Sequence, residues 1–287
     1  MRLLLPLPDN EGFAERLARV GGGIVGALRT RQFVDGESYV RIEADVAGRV
    51  VDLVCTLARP DAAFLRLAFA ADALRDLGAT QVNLIAPYLG YLRQDTRFLP
   101  GEAVTSRTFA RLLGGVVDRI VTVDPHLHRY ADLESLYAIP CRTLHAAPLL
   151  AAWIRARVPA PLIVGPDIES RQWVAAVAQR VGAPYVVLAK QRLGDREVRV
   201  ELPDLAVHRG RRAVLIDDIA ASGRTLAAAA EALKLQGFTP PVCVVVHAVF
   251  GEDALTRLQA VTELIVSTDS IEHPTNAIAL AELFVDA

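Results

Sequence analysis

Hydrophobic and polar positions along this chain alternate between two rhythms. Short apolar runs of β type recur at 50–57, 81–86, 118–123, 162–164, 184–189, 213–217 and 242–248. Between them apolar residues return every three or four positions, as they do on one face of a helix. Phe64, Leu67, Ala71 and Leu74 make one such face, opened by Pro60 and an N-capping Asp61 and closed by Gly78. Further helices are predicted over 103–113, over 170–181 up to Gly182, and from Leu226 through Ala229, Ala230 and Leu233. Strands alternating with helices predict an α/β fold with mostly parallel sheets covered on both faces. The scheme runs through the first half and repeats in the second. Two similar α/β domains are therefore expected, 1–145 and 146–287, with the last dozen or so residues returning to the first. Ligands of such sheets collect at the carboxyl ends of the strands, where every candidate motif is expected to lie.

Composition narrows the picture. The 287 residues are 52% hydrophobic, enough for two cores, but only 6% aromatic, so Ala, Val and Leu must fill them. A net charge of −2, with basic and acidic residues interleaved, excludes a nucleic-acid footprint, which needs a basic excess. Cys55, Cys141 and Cys243 each stand alone, without zinc-ligand spacing, and read as small buried residues. The apolar run in residues 1–9 is short and broken by proline, and no uncharged stretch reaches bilayer length. The expectation is a cytoplasmic protein with no membrane partner.

The densest chemistry lies in residues 213–226, where an apolar strand ends in Asp217 and Asp218. A turn of small residues follows, with Ser222, Gly223, Arg224 and Thr225 leading into a helix. The free N–H groups of a helix N-terminus, with two hydroxyls, suit a phosphate dianion. Ionised carboxylates only accept hydrogen bonds, so the Asp pair suits a vicinal diol beside that phosphate. A sugar phosphate such as ribose 5-phosphate satisfies both halves. Two aspartates alone would read as an ordinary strand-to-helix turn; the whole block favours a phosphate site. It resembles the phosphoribosyl-pyrophosphate loop of type I phosphoribosyltransferases and their relatives, without choosing among them.

Five further blocks choose. Phe33-Val34-Asp35-Gly36-Glu37, Pro87-Tyr88-Leu89-Gly90-Tyr91-Leu92-Arg93-Gln94-Asp95, Asp124-Pro125-His126-Leu127-His128, Gly165-Pro166-Asp167-Ile168-Glu169 and Lys190-Gln191-Arg192 occur in that order. Together they resemble the ribose-phosphate pyrophosphokinase family over nearly the whole chain. The resemblance implies two phosphoribosyltransferase-type domains and a transfer of the diphosphoryl group of ATP to ribose 5-phosphate. It implies that Phe33, Asp35 and Glu37 reach a neighbouring subunit's ATP, making the protein a homo-oligomer. Arg93, Gln94 and Asp95 would hold the nucleotide; an aromatic face stacks on adenine and an arginine fork grips phosphate. His126 and Asp167 would attend a Mg²⁺-bound triphosphate, with His128 more readily structural. Lys190 and Arg192 would open a mobile catalytic loop that continues through Leu193-Gly194-Asp195-Arg196. Asp217, Asp218 and Ser222 to Thr225 would hold ribose 5-phosphate.

The chain departs from the family pattern at three places. Ala221 stands at the third Asp of Asp-Asp-x-x-Asp-Thr-Gly-Gly-Thr, Arg224 at its second Gly, and Glu169 at a Gly of the pyrophosphate loop. The stretch 97–103 resembles the shorter archaeal form, which implies weak or absent allosteric control by ADP and phosphate. No Walker A pattern occurs, so ATP is held otherwise. A base-specific phosphoribosyltransferase, a regulatory subunit without turnover, and the same chemistry on another pentose phosphate remain open readings.

Overall fold

The computed structural model describes residues 2–192, 198–201 and 205–285, the side chains of 190–192 and 198–201 excepted. The chain divides into two units, Met1–His145 with Leu280–Ala287, and Ala146–Ala279.

The first unit runs β1 (Leu3–Pro6), α1 (Glu11–Gly21), β2 (Ile24–Val25), β3 (Leu28–Gln32), β4 (Ser38–Ile42), β5 (Val50–Val54), α2 (Pro60–Asp76), β6 (Gln81–Ala86), α3 (Thr105–Gly114), β7 (Arg119–Val123) and β8 (Cys141–Leu144). Six strands form one parallel sheet in the order β2-β1-β5-β6-β7-β8, while β3 and β4 pair antiparallel as a separate hairpin. Buried Val51, Leu53, Val82, Leu84 and Ile120 of the sheet share a core with Leu67, Ala70, Ala71 and Leu74 of α2. Asp61 does not cap α2. Pro60 occupies the first turn, where a missing N–H costs nothing, and the Asp61 carboxylate accepts from the Tyr91 hydroxyl. Strand β1 was not foreseen, because proline follows its short apolar run so soon.

A short turn, Ala281–Phe284, belongs to this first unit. Arg2 donates from Nη1 to the Phe284 carbonyl at 2.9 Å, and the Phe13 and Phe284 rings meet edge-on at 5.5 Å. The same arginine donates from Nε to Asp52 Oδ2 at 2.5 Å, and Asn83 donates to Asp52 Oδ1 at 2.9 Å. The buried carboxylate of Asp52 is thus paired at both oxygens, which is the condition for burying a charge.

The second unit runs α4 (Ala147–Arg157), β9 (Pro161–Gly165), α5 (Arg171–Val181), β10 (Tyr185–Val187), β11 (Ala189–Arg192), β12 (Val198–Glu201), β13 (Arg212–Ile219), α6 (Arg224–Leu235), β14 (Val242–His247), α7 (Ala254–Gln259), β15 (Leu264–Thr268) and β16 (Asn276–Ile278). Its parallel sheet has the order β10-β9-β13-β14-β15-β16, and β11 and β12 form an antiparallel hairpin. Leu215, Val245 and Leu162 of the sheet pack with Leu226, Ala229, Ala230 and Leu233 of α6.

The two units share one connectivity. In each, the chain makes β-α-β, leaves the sheet for a hairpin, and returns as β-α-β-α-β-β. Each sheet also reverses its strand order at the same point, between β1 and β5 and between β9 and β13. At such a reversal the connecting segments diverge and leave a crevice above the strand ends.

Among the described residues no helix is long and apolar enough to cross a membrane. Cys55 and Cys243 are buried and Cys141 half-buried, none in a disulfide. Burial pushes the Cys55 and Cys141 thiols up from 9.0 to about 12, so all three are poor nucleophiles.

Candidate active site

In the second unit the strand-order reversal lies between two of the sequence motifs. Strand β9 ends at Gly165 and leads into Asp167; its neighbour β13 ends in Asp217, Asp218 and Ile219. Gly165 is required by close approach, since a Cβ there would lie 2.4 Å from Ser170 Oγ. Asp167 accepts the Glu169 N–H at 3.2 Å, and Ser170 donates to the Asp167 carbonyl at 2.6 Å. Those bonds fold 168–170 into one tight turn and leave Glu169 exposed. Strand β13 continues through both aspartates. Asp217 is half-buried; Asp218 is 3% exposed and accepts the Ile219 N–H at 2.8 Å.

The turn from Ala220 to Gly223 delivers the chain into α6. Gly223 has φ +67°, a left-handed conformation that opens the helix and favours glycine. The N–H groups of the first turn of α6 lie beyond the reach of its own carbonyls, with the Ser222 and Thr225 hydroxyls next to them in sequence; the Arg224 N–H donates to Ser222 Oγ at 3.4 Å. Exposed Arg224 adds a cation at the helix start.

The first unit carries the other blocks. Residues 87–95 follow β6. Gly90 packs so closely that a Cβ would lie 2.6 Å from the Leu57 carbonyl. Tyr91 adopts φ +62°, its ring 4.6 Å from Phe109 and its hydroxyl on Asp61, which holds the phenol proton and raises its pKa. This anchoring presents Arg93 to solvent, with Gln94 half-buried. Asp95 is 5% exposed; its Oδ1 accepts from Arg129 Nη1 at 2.5 Å, while its buried Oδ2 has no partner among the described residues. Arg129 also lies over the exposed Phe98 ring, 5.6 Å from its centre. Sequence reasoning named Asp95 but missed Arg129, which lies one residue beyond the His126–His128 block.

After β7, Asp124 turns at φ +33° and bonds His145 Nδ1 at 2.9 Å. His126 and His128 meet edge-on with their Nε2 atoms 2.7 Å apart, so one imidazole donates and the other accepts. His128, expected as structural, is therefore in direct hydrogen-bond contact with His126.

Two blocks do not lie at the ends of sheet strands, contrary to expectation. Phe33 to Glu37 form the tip of the β3–β4 hairpin. There the Asp35 carboxylate accepts the Glu37 N–H at 3.2 Å, and Gly36 has φ +93°. Phe33 is 41% exposed, with the Arg31 guanidinium 4.2 Å from its ring centre and Tyr39 edge-on at 6.2 Å. Lys190 and Arg192 lie on β11 of the other hairpin; their side chains and the stretch 193–197 lie outside the described residues.

Among the described residues no group of three or more His, Cys, Asp or Glu side chains is gathered to cage a metal ion. The donors that are present still fit a hard cation carried by its substrate. Asp167 and the Asp217–Asp218 pair put carboxylate oxygens at the ends of adjacent strands, and Mg²⁺ takes one or two carboxylates with waters and phosphates.

Two domain families match this chain. Residues 3–116 match the N-terminal domain of ribose phosphate pyrophosphokinase, and residues 132–282 a phosphoribosyl transferase domain. The ribose-phosphate pyrophosphokinase of Methanothermobacter thermautotrophicus is 34% identical over 261 residues, 90% of each chain. That of Methanopyrus kandleri is 33% identical over 290 residues, covering 99% of this chain and 98% of its own. The crystal structure of phosphoribosylpyrophosphate synthetase from Mycobacterium smegmatis shares the fold. Its TM-score is 0.84 at 24% identity, over 100% of this chain and 97% of that one.

Proposed function

This chain belongs to the ribose-phosphate pyrophosphokinase family, and on that premise we propose how its residues divide the reaction. The protein transfers the diphosphoryl group of ATP to the anomeric hydroxyl of ribose 5-phosphate, giving 5-phosphoribosyl 1-pyrophosphate and AMP. The anomeric oxygen forms a bond to the β-phosphorus as its hydroxyl proton is released to solvent, the bond from that phosphorus to the oxygen bridging to the α-phosphate breaks, and AMP leaves.

Asp217 and Asp218 accept from the ribose diol. The Ser222–Thr225 turn and the start of α6 take the 5-phosphate. The observation that carries this assignment is the location of the turn, where the strand order of its sheet reverses, with carboxylates and a helix N-terminus side by side. Arg93 and Gln94 hold the nucleotide, and Asp95 holds Arg129 toward it. Phe33, with Asp35 and Glu37 around it, stacks on the adenine of a neighbouring copy, which makes the protein a homo-oligomer. Lys190 and Arg192 stabilise charge on the transferring group, an effect largest in the transition state.

The family reaction uses a divalent metal, which we assign as Mg²⁺; Asp167 of the second unit and His126 of the first are the residues each unit would offer to the metal or to the phosphates that carry it. When bound, it screens the triphosphate and polarises the phosphoryl oxygens. Ala221 leaves no carboxylate at the third Asp position, so catalysis rests on positioning and electrostatics, as phosphoryl transfer permits.

The test is AMP formation from ATP and Mg²⁺ by purified protein, with and without ribose 5-phosphate, and without any nucleobase. AMP that depends on the sugar and matches phosphoribosyl pyrophosphate is expected. No AMP from folded protein would overturn the assignment, and sugar-dependent AMP with ribose 5-phosphate replaced by another pentose phosphate would redirect it.

A further inference from the structure

We propose that Arg257 is a positioning residue for the phosphate of ribose 5-phosphate. Its guanidinium holds the Ser222 carbonyl and so fixes the direction of the Gly223 N–H in the turn that follows β13. The proposal rests on the reading of that turn as the 5-phosphate cradle.

Four consecutive residues of the turn are held by the end of β14 and the segment that follows it. The Ala220 N–H donates to the His247 carbonyl at 3.0 Å, and the Gly251 N–H donates to the Ala221 carbonyl at 3.0 Å. Arg257 Nη1 donates to the Ser222 carbonyl at 2.6 Å. Gly223 packs against α7 so closely that a Cβ would lie 3.1 Å from the Ala254 carbonyl and 3.2 Å from Leu258. Arg257 is itself placed by α7, its N–H donating to the Asp253 carbonyl at 3.0 Å.

The consequence follows from peptide geometry. A trans peptide is planar, with its C=O and N–H pointing in opposite directions. Drawing the Ala221 carbonyl toward Gly251 turns the Ser222 N–H the other way. Drawing the Ser222 carbonyl toward Arg257 does the same to the Gly223 N–H. Two successive amide hydrogens are thereby turned to the side away from the 251–257 segment, an arrangement that receives anions. A hydrogen bond from a guanidinium also polarises the peptide it touches, which strengthens the donor at its other end. Arg257 thus acts on the phosphate through the Ser222–Gly223 peptide, without contact.

The experiment uses steady-state kinetics of the full chain with both substrates varied. Arg257→Ala is expected to raise the KM for ribose 5-phosphate about tenfold, the size of one charge-assisted hydrogen bond, while leaving the KM for ATP within about twofold. Arg257→Lys, which can still donate once, is expected to recover part of the loss; Arg257→Met is not. Inorganic phosphate, competing with ribose 5-phosphate, should inhibit Arg257→Ala less in the same proportion. Equal rises in both KM values, or no recovery with lysine, would overturn the proposal. Should Arg257→Ala fail to fold, the lysine and methionine variants carry the comparison. Ser222→Ala and Thr225→Ala separate the two levels of the argument. If neither raises the KM for ribose 5-phosphate, the cradle reading fails and the clamp with it. If they raise it and the Arg257 variants do not, the clamp alone fails.

Discussion

Arg129 donates to the carboxylate of Asp95 at 2.5 Å, from a half-exposed position to one almost fully buried. The asymmetry decides what each substitution does. Removing Asp95 returns the guanidinium to water, a change worth about 1 kcal/mol. Removing Arg129 leaves a buried carboxylate unpaired, which costs about 2 kcal/mol or more. Arg129→Met should therefore lower the melting temperature more than Asp95→Asn. Both should raise the KM for ATP and spare that for ribose 5-phosphate. Identical melting shifts, or a rise in both KM values, would count against Arg129 as the nucleotide-facing partner of Asp95.

Of the two aspartates at the end of β13, Asp218 is the deeper. Asp217→Asn and Asp218→Asn are each expected to raise the KM for ribose 5-phosphate at least about tenfold more than that for ATP. Asp218→Ala should also lower thermal stability, because the Asp218 carboxylate accepts the Ile219 N–H. Kinetics that move equally with both substrates would remove the diol from the assignment.

Lys190 and Phe33 stand on different hairpins, which permits a test by mixing subunits. Lys190→Ala is expected to lower kcat by about 10²–10³-fold with nucleotide binding intact, as loss of a transition-state charge contact does. Phe33→Ala should raise the KM for ATP. If Phe33 serves a neighbouring copy, exchanging subunits between the two variants restores activity, since some sites then combine an intact Phe33 with an intact Lys190. Exchange demonstrated without recovery would place Phe33 on its own chain's nucleotide.

Burial raises the thiol pKa of Cys55 and Cys141 from 9.0 to about 12, and that of Cys243 upward as well. The folded state therefore keeps protons that the unfolded state releases. This contribution to stability is complete below about pH 9 and is lost as pH rises toward about 12. The urea midpoint should hold steady from about pH 7.5 to about pH 8.5 and fall above it, less steeply when Cys55 and Cys243 are both alanine. Parallel curves for the two proteins would assign the fall to other groups.

Most of the two sheets was legible because their central strands are apolar on both faces: the strand at 81–86 and the stop at Gly182 agree with the structure. The hairpins were not. Arg29, Arg31 and Arg41 interrupt the strands of the first hairpin, and only Leu28, Val40 and Ile42 of these strands pack against the core, too few to stand out as an apolar run. Asp61 was read as a cap from local sequence alone, while its partner Tyr91 lies 30 positions away. Arg129 and Arg257 escaped for the same reason. Their partners are 34 and 35 residues distant, and nothing in a basic residue on a loop or short helix tells which carboxylate or carbonyl it will meet.

The return of Ala281–Phe284 to the first unit has a consequence for synthesis. Phe284 packs on Phe13, and its carbonyl takes one end of the arginine whose other end neutralises buried Asp52. A ribosome completes residues 2–145 long before it makes these partners. Until then Phe13 lacks its ring contact and Arg2 one of its two anchors. The first unit to be translated is therefore among the last to be sealed, and a nascent chain paused within residues 146–279 carries it open at that seam.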